Sequence, residues 1–173
     1  GSTVLDNLIG DTPTEGQKVL VTLHRRENQD QIENWFRVIN KLAKDNENLH
    51  FVLPIHPNPS IIKYKHLLTN VEVTDPLPHH QLLEILKSCK LVITDSGGIQ
   101  EEAAFFRKPC IVCRKTTERS EGLNEFSWLC DSPQLLPEKF YKVKDKKINV
   151  SLPCPYGDGN ASDKILRILN EIL

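Results

Sequence analysis

Much that would mark a specialised chain is missing from this one. There is no basic excess: 22 Lys and Arg stand against 23 Asp and Glu, a formal net charge of −1. Nucleic acid and anionic membrane surfaces therefore meet no attracting field. No apolar run approaches the roughly 18 residues of a membrane span. The opening Gly1-Ser2-Thr3-Val4-Leu5-Asp6 has none of the marks of a secretory signal. Methionine is absent altogether, so the chain holds no translation start and is expected to be a fragment or a processed product. The five cysteines are odd in number and scattered. Without a signal segment they read as reduced thiols of a cytoplasmic protein, not as a disulfide framework. Cys110 and Cys113 have C-x-x-C spacing, yet no second pair completes a zinc site. On a strand, an offset of three also points them to opposite faces. A G-x-G-x-x-G fingerprint and a Walker A sequence are both lacking, which excludes a standard dinucleotide site and a P-loop.

What is present suits one globular domain over residues 1–173, with 39% hydrophobic and 26% charged residues. Strands are expected at residues 18–23, 49–55, 71–74, 91–93, 110–113 and 126–130. Helices are expected at 4–9, about 29–45, just after Pro59, 79–90, 98–107 and 161–173. In the 29–45 segment Ile32, Trp35, Phe36, Ile39, Leu42 and Ala43 recur every three or four residues, which makes one apolar stripe. The last segment repeats the pattern with Ile165, Ile168, Leu169 and Ile172. Residues 132–152 read as a short helix and a loop. Strand and helix alternate at βαβ lengths, so the fold class is α/β, a Rossmann-like parallel sheet in three layers.

The stretch Thr94-Asp95-Ser96-Gly97-Gly98-Ile99-Gln100-Glu101-Glu102 is the focus of the chain. Leu91-Val92-Ile93 runs into it as a buried strand, and a helix runs out. The first N–H groups of a helix lack partners within it, and the dipole there is positive. Two glycines bare the backbone to an anion, Ser96 adds a hydroxyl, and Glu101 and Glu102 offer acceptors for sugar hydroxyls. Two readings stand side by side. One is the diphosphate and ribose end of a nucleotide site. The other is a Ser N-cap followed by glycines that only permit a turn.

Other polar clusters follow the remaining strands: His24-Arg25-Arg26-Glu27, His56-Pro57-Asn58, residues 75–80 and residues 114–121. In an open parallel sheet ligands bind beyond the carboxyl ends of the strands. Five polar clusters at that one edge point to a site.

The ordered set His24-Arg25-Arg26-Glu27, His56-Pro57-Asn58-Pro59, Asp95-Ser96-Gly97-Gly98-Ile99-Gln100-Glu101-Glu102-Ala103, Thr116-Thr117-Glu118-Arg119 and Pro155-Tyr156-Gly157-Asp158-Gly159 resembles the C-terminal half of non-hydrolysing UDP-N-acetylglucosamine 2-epimerases. The resemblance implies one half of a two-domain fold of the glycosyltransferase-B type, the N-terminal domain lying outside this chain. It implies interconversion of UDP-GlcNAc and UDP-ManNAc through elimination and re-addition of UDP, with neither a cofactor nor an essential metal. It also implies His24 as a catalytic proton donor or diphosphate partner. UDP would be bound by Arg25, His56, Ser96, Gly97, Gly98, Glu102 and Arg119, with Leu82 where the family usually stacks an aromatic on uracil. Glu27 is expected to steady the neighbouring arginines, and Glu101 to be a solvated helix acid. Leu23 and Ser120 also depart from the usual family residues, and residues 132–152 are shortened.

The family's catalytic carboxylates lie in its other half, so the isolated chain is expected to bind UDP weakly and turn nothing over. Family members tend to dimerise. The last helix is expected to leave part of its apolar stripe exposed. Two further readings stay open: the nucleotide-donor domain of a UDP-sugar glycosyltransferase, and a non-catalytic UDP-sugar-binding module.

Overall fold

A computed structural model of the chain describes residues 1–8 and 16–172. Six strands form one sheet: β1 Lys18–Thr22, β2 His50–Pro54, β3 Glu72–Thr74, β4 Leu91–Thr94, β5 Cys110–Val112 and β6 Ser127–Leu129. All neighbours pair in parallel, in the order β3-β2-β1-β4-β5-β6. The helices are α1 Arg26–Gln29, α2 Ile32–Asp45, α3 Pro59–Ile62, α4 His79–Ser88, α5 Gly97–Phe105, α6 Leu136–Val143 and α7 Ala161–Ile172. The strand order reverses between β1 and β4. At such a switch point the two flanking connections leave in opposite directions and open a crevice at the carboxyl ends.

The central strands β1, β2, β4 and β5 bury apolar residues on both faces of the covered sheet, whereas the edge strand β3 carries Glu72 and Thr74 and buries none of its residues. Val19, Val21, Leu91, Ile93 and Ile111 enter one core with Trp35, Phe36 and Ile39 of α2 and Phe140 of α6. Leu20, Val92, Cys110 and Val112 enter the other with Leu5, Leu8, and Ile99, Ala103 and Ala104 of α5. The two-residue period of the strands thus sorts adjacent side chains into separate cores, which gives the three layers expected. Cys110 and Cys113 fall in different cores, as their spacing requires. Burial pushes the Cys89 thiol up to about 12 and that of Cys130 to about 11, so both stay protonated and inert.

Several boundaries differ from the sequence reading. The helix expected at about 29–45 starts only at Ile32, after Gln31 leaves helical geometry, and a separate turn, α1, precedes it. The short helix expected at 4–9 is a 3-10 turn, Thr3–Leu8; Ile9 and the linker after it lie outside the described residues. The helix after Pro59 is a single turn, with Pro59 in its first turn and the Asn58 side chain accepting from the Ser60 N–H. The end of α5 comes two residues early because Arg107 takes φ 55°, a left-handed conformation that stops a helix. Within residues 132–152, α6 starts with Pro137 in its first turn and buries Leu136, Phe140 and Val143.

The helix α7 is tied to the chain's beginning. Asp6 accepts from the N–H groups of Ala161 (2.9 Å) and Ser162 (2.8 Å), and the Ser162 side chain first, then these N–H groups, draw its carboxyl below the usual range. The apolar stripe stays open: Ile165, Leu166, Ile168, Leu169 and Ile172 are all exposed. Leu173, the expected last helical residue, lies outside the described residues. Among the described residues no helix is long and apolar enough to cross a membrane.

Candidate functional site

Asp95 follows β4 directly and is fully buried. A bare carboxylate there would be costly, and the fold surrounds it with donors. Its oxygens accept from the backbone N–H groups of His24 (3.0 Å) and Arg25 (2.8 Å) and from the Asn28 amide (3.0 Å). The His24 Nδ1 lies 3.4 Å away. The Asn28 amide also reaches the Cys113 carbonyl at 2.8 Å, beyond β5. One acid therefore fastens the segment after β1 to the bend after β4. The Arg25 side chain turns the same way, its Nε donating to the Asp95 carbonyl at 3.0 Å.

This fastening leaves a cleft of about 250 Å³ at the switch point. His24, His56, Leu82 and Ser96 all line it, together with Leu77 and Ile99. The rings of His24 and His56 stack with centroids 5.8 Å apart and planes 12° from parallel. Leu82 supplies apolar wall and packs toward the core shared with α5.

The bend satisfies both readings of its sequence at once. Ser96 is the N-cap of α5, its Oγ accepting from the Ile99 N–H at 3.4 Å. A capping oxygen still has its own proton to donate. The two glycines differ. Any Cβ on Gly97 would come within 2.7 Å of the Arg119 guanidinium carbon, so that glycine makes room for Arg119 rather than for a ligand. A Cβ on Gly98 would meet only the Ser96 Oγ, at 3.9 Å. Gly98 is the open approach to the helix N-terminus, where unpaired amides and the dipole favour an anion.

The paired acids separate completely. Glu101 is buried, not solvated: Arg119 Nε donates to its Oε1 at 2.9 Å, and the Ser2 hydroxyl donates to its Oε2. Both of its oxygens are already bonded, which corrects the expectation of a solvated helix acid. Glu102 is buried too, but only its Oε1 is bonded, to His79 Nε2 at 2.8 Å. Its Oε2 is buried and has no partner among the described residues. Burial pushes the Glu102 carboxyl above its ordinary range, and the bond to His79 works against that.

Arg119 is fixed from several sides. It bonds Glu101 and, at 2.8 Å, Glu118, and these acids hold its guanidinium firmly charged. The backbone carbonyl of Arg119 accepts from the Tyr156 hydroxyl at 2.9 Å and the Gln100 amide at 3.1 Å. Gln100 uses the rest of its side chain on Ser127, Tyr156 and Thr117. The loop carrying Arg119 is thus pinned by a buried amide of α5 and by the turn at Tyr156.

Glu27 does not steady Arg25 or Arg26. It pairs with Arg114 at 2.8 Å and so ties the segment after β1 to that after β5. Asn28, His79, Gln100 and Arg114 are the contributors that sequence reasoning gave no role. Neither Asn28, set among Arg26, Glu27 and Gln29, nor Gln100, beside Glu101 and Glu102, carried a local signal, because both stand in polar stretches that read as solvated.

The comparisons bear on this geometry. A family model described as UDP-N-acetylglucosamine 2-epimerase matches residues 3–170. The UDP-N-acetylglucosamine 2-epimerase of Bacillus subtilis is 33% identical over 176 residues, covering 92% of this chain and 45% of that protein. Among solved structures, the UDP-GlcNAc 2-epimerase from Neisseria meningitidis bound to UDP-GlcNAc matches with a TM-score of 0.79 at 34% identity, covering 90% of this chain and 45% of that one. The S. aureus MnaA–UDP co-structure matches at 0.81 with 28% identity, covering 99% and 49%. The chain therefore spans about half the length of the relatives it matches. With a match from residue 3 to residue 170 and a parallel sheet whose switch-point cleft is lined by His24, His56 and Ser96, the chain belongs to the UDP-N-acetylglucosamine 2-epimerase family.

Proposed function

We propose that this chain is the C-terminal, UDP-binding domain of an enzyme that interconverts UDP-GlcNAc and UDP-ManNAc by eliminating UDP and adding it back. The observation that carries the reading is the convergence at the β1–β4 switch point. The cleft there has His24, His56 and Ser96 in its wall and Gly98 open beside it, and one turn into α5 Glu102 holds a buried acceptor with no partner among the described residues.

Each part has a task. UDP leaving the sugar gathers negative charge on its diphosphate. The amides at the start of α5 and the Ser96 hydroxyl meet that charge already aligned, so nothing has to reorganise as it grows. His24, its ring beside the buried Asp95, delivers or receives a proton at the leaving oxygen. His56 stacks on His24 and sets the angle of its ring. Arg25 and Arg119 add positive potential from either side of the bend. Glu102 accepts from the ribose, and Leu82 packs against the base. The carboxylates that handle the sugar C2 proton belong to residues outside this chain, so the chain alone turns over no substrate. Five free thiols, four of them buried, suit a cytoplasmic setting. The exposed face of α7 supports self-association or packing against the remainder of the enzyme.

Two measurements test the reading. UDP titrated into the isotope-labelled chain should shift the amide resonances of Gly97, Gly98 and Ile99 before any others; shifts confined elsewhere overturn it. The whole enzyme incubated with UDP-GlcNAc in heavy water should place deuterium at C2 of the sugar. Binding without exchange would remove the epimerase mechanism.

A further inference from the structure

His79 opens α4, a place where helix physics gives no reason for it. A cation near a helix N-terminus opposes the dipole, and no side-chain cap is made there. Packing does not explain it either, since its side chain is 58% exposed. What His79 does is reach Glu102, on a different helix, with Nε2 2.8 Å from Oε1. Glu102 is only 3% exposed, and its Oε2 is buried without a partner among the described residues. The neighbouring acid, Glu101, is closed off by Arg119 and Ser2 and cannot substitute.

We propose that His79 is a positioning residue for nucleotide recognition: it anchors one oxygen of Glu102 so that the other is presented to a ribose hydroxyl. This rests on the UDP-binding reading above and adds to it a residue outside the cleft wall. With Glu102 ionised, the bond carries its proton on Nε2 of the imidazole, so His79 donates and Glu102 accepts. Two consequences follow for the carboxylate. Its rotamer is fixed, so the free oxygen has one direction rather than several. Its charge is also supported against the burial and the repulsion from Glu101 that favour the neutral acid. An ionised, aimed carboxylate is the stronger acceptor for a hydroxyl, and an unaimed neutral one reads the sugar poorly.

The role separates from general folding by what it does to sugar discrimination. UDP, 2′-deoxy-UDP and 3′-deoxy-UDP are titrated calorimetrically into the protein, its Glu102→Gln variant and two variants of His79. The unaltered protein should prefer UDP over at least one deoxy form. His79→Leu should lower UDP affinity about tenfold, the scale of one charge-assisted hydrogen bond, while the deoxy form barely changes, so the preference collapses. His79→Gln, whose amide nitrogen donates from a similar place, should recover most of it. If His79→Leu weakens all three ligands equally, or none, the positioning role is overturned. Should the leucine variant fail to melt cooperatively, His79→Gln against His79→Asn carries the same comparison, the shorter amide falling out of reach. Failure of the underlying site looks different: the unaltered protein would show no preference and Glu102→Gln would change nothing. A preference lost in Glu102→Gln but kept in His79→Leu removes His79 alone.

Discussion

Asp95 and Glu102 flank the same bend and are buried to nearly the same degree, at 0% and 3% exposure. Their surroundings are opposite. Asp95 accepts from two backbone amides and the Asn28 amide, with the His24 ring alongside. Glu102 accepts from His79 and keeps one buried oxygen without a partner among the described residues. A saturated buried carboxylate holds shape, because removing it strands every donor around it. A half-saturated one carries an unmet demand that a ligand hydroxyl can fill. The difference between framework and receptor here is therefore one of hydrogen-bond completeness, not of charge or depth.

The sharpest way to break the comparison is Asp95→Ala. It leaves the backbone amides of His24 and Arg25 and one N–H of the Asn28 amide without an acceptor, and should cost about 4 kcal/mol in denaturant unfolding. A loss under about 1 kcal/mol would show that Asp95 is not the framework residue. Gln100→Leu attacks the second saturated group. It should cost about 2–3 kcal/mol and free the Arg119 loop, read as faster amide exchange at residues 117–122.

Glu102→Gln probes the receptor side and should move binding and stability in opposite directions. UDP affinity should fall by about 1.5–3 kcal/mol, since the charge-assisted bond is lost. Stability follows from the direction of the carboxyl's displacement. Its folded value is raised, so its favourable contribution is complete below the unfolded value and is lost as pH rises through the folded one. At neutral pH the ionised acid costs stability, and the glutamine should melt about 2 °C higher, a gain that disappears in acid. A lower melting temperature at pH 7 would move Glu102 to the framework side. The smallest expected effect is that of Gly98→Ala. An added Cβ meets only the Ser96 Oγ, at 3.9 Å, and the backbone there is helical. Helix propensity should then raise stability by about 0.5–1 kcal/mol, while UDP affinity drops severalfold because the methyl stands in the anion's approach. Unchanged affinity would close that approach as a route for the diphosphate.

The strands, the bend and the gathering of polar clusters at one sheet edge were legible from local pattern, since each depends on neighbours two to four residues apart. The partners inside the site were not. Glu101 and Glu102 look alike in the sequence, and local pattern offers both as acceptors for sugar hydroxyls. Successive helix residues point about 100° apart, so one meets Arg119 and the other His79. Glu27 was assigned to its neighbours Arg25 and Arg26 and found Arg114 instead, 87 positions away. The glycine pair was read as one device, yet Gly97 accommodates a side chain and Gly98 an opening.

The helices α2 and α7 mark the same boundary. Each carries an apolar stripe that its residue spacing alone assigns to one side of the helix. Ile32, Trp35, Phe36, Ile39 and Leu42 of α2 are all at or below 3% exposure, sealed against β1, β2 and α6. Ile165, Ile168, Leu169 and Ile172 of α7 stand at 49%, 55%, 48% and 75%. Periodicity along the chain settled that both helices form and which side of each is apolar, because those properties depend on contacts within a turn or two. Whether anything lies against that side was settled by long-range packing, which no local pattern encodes.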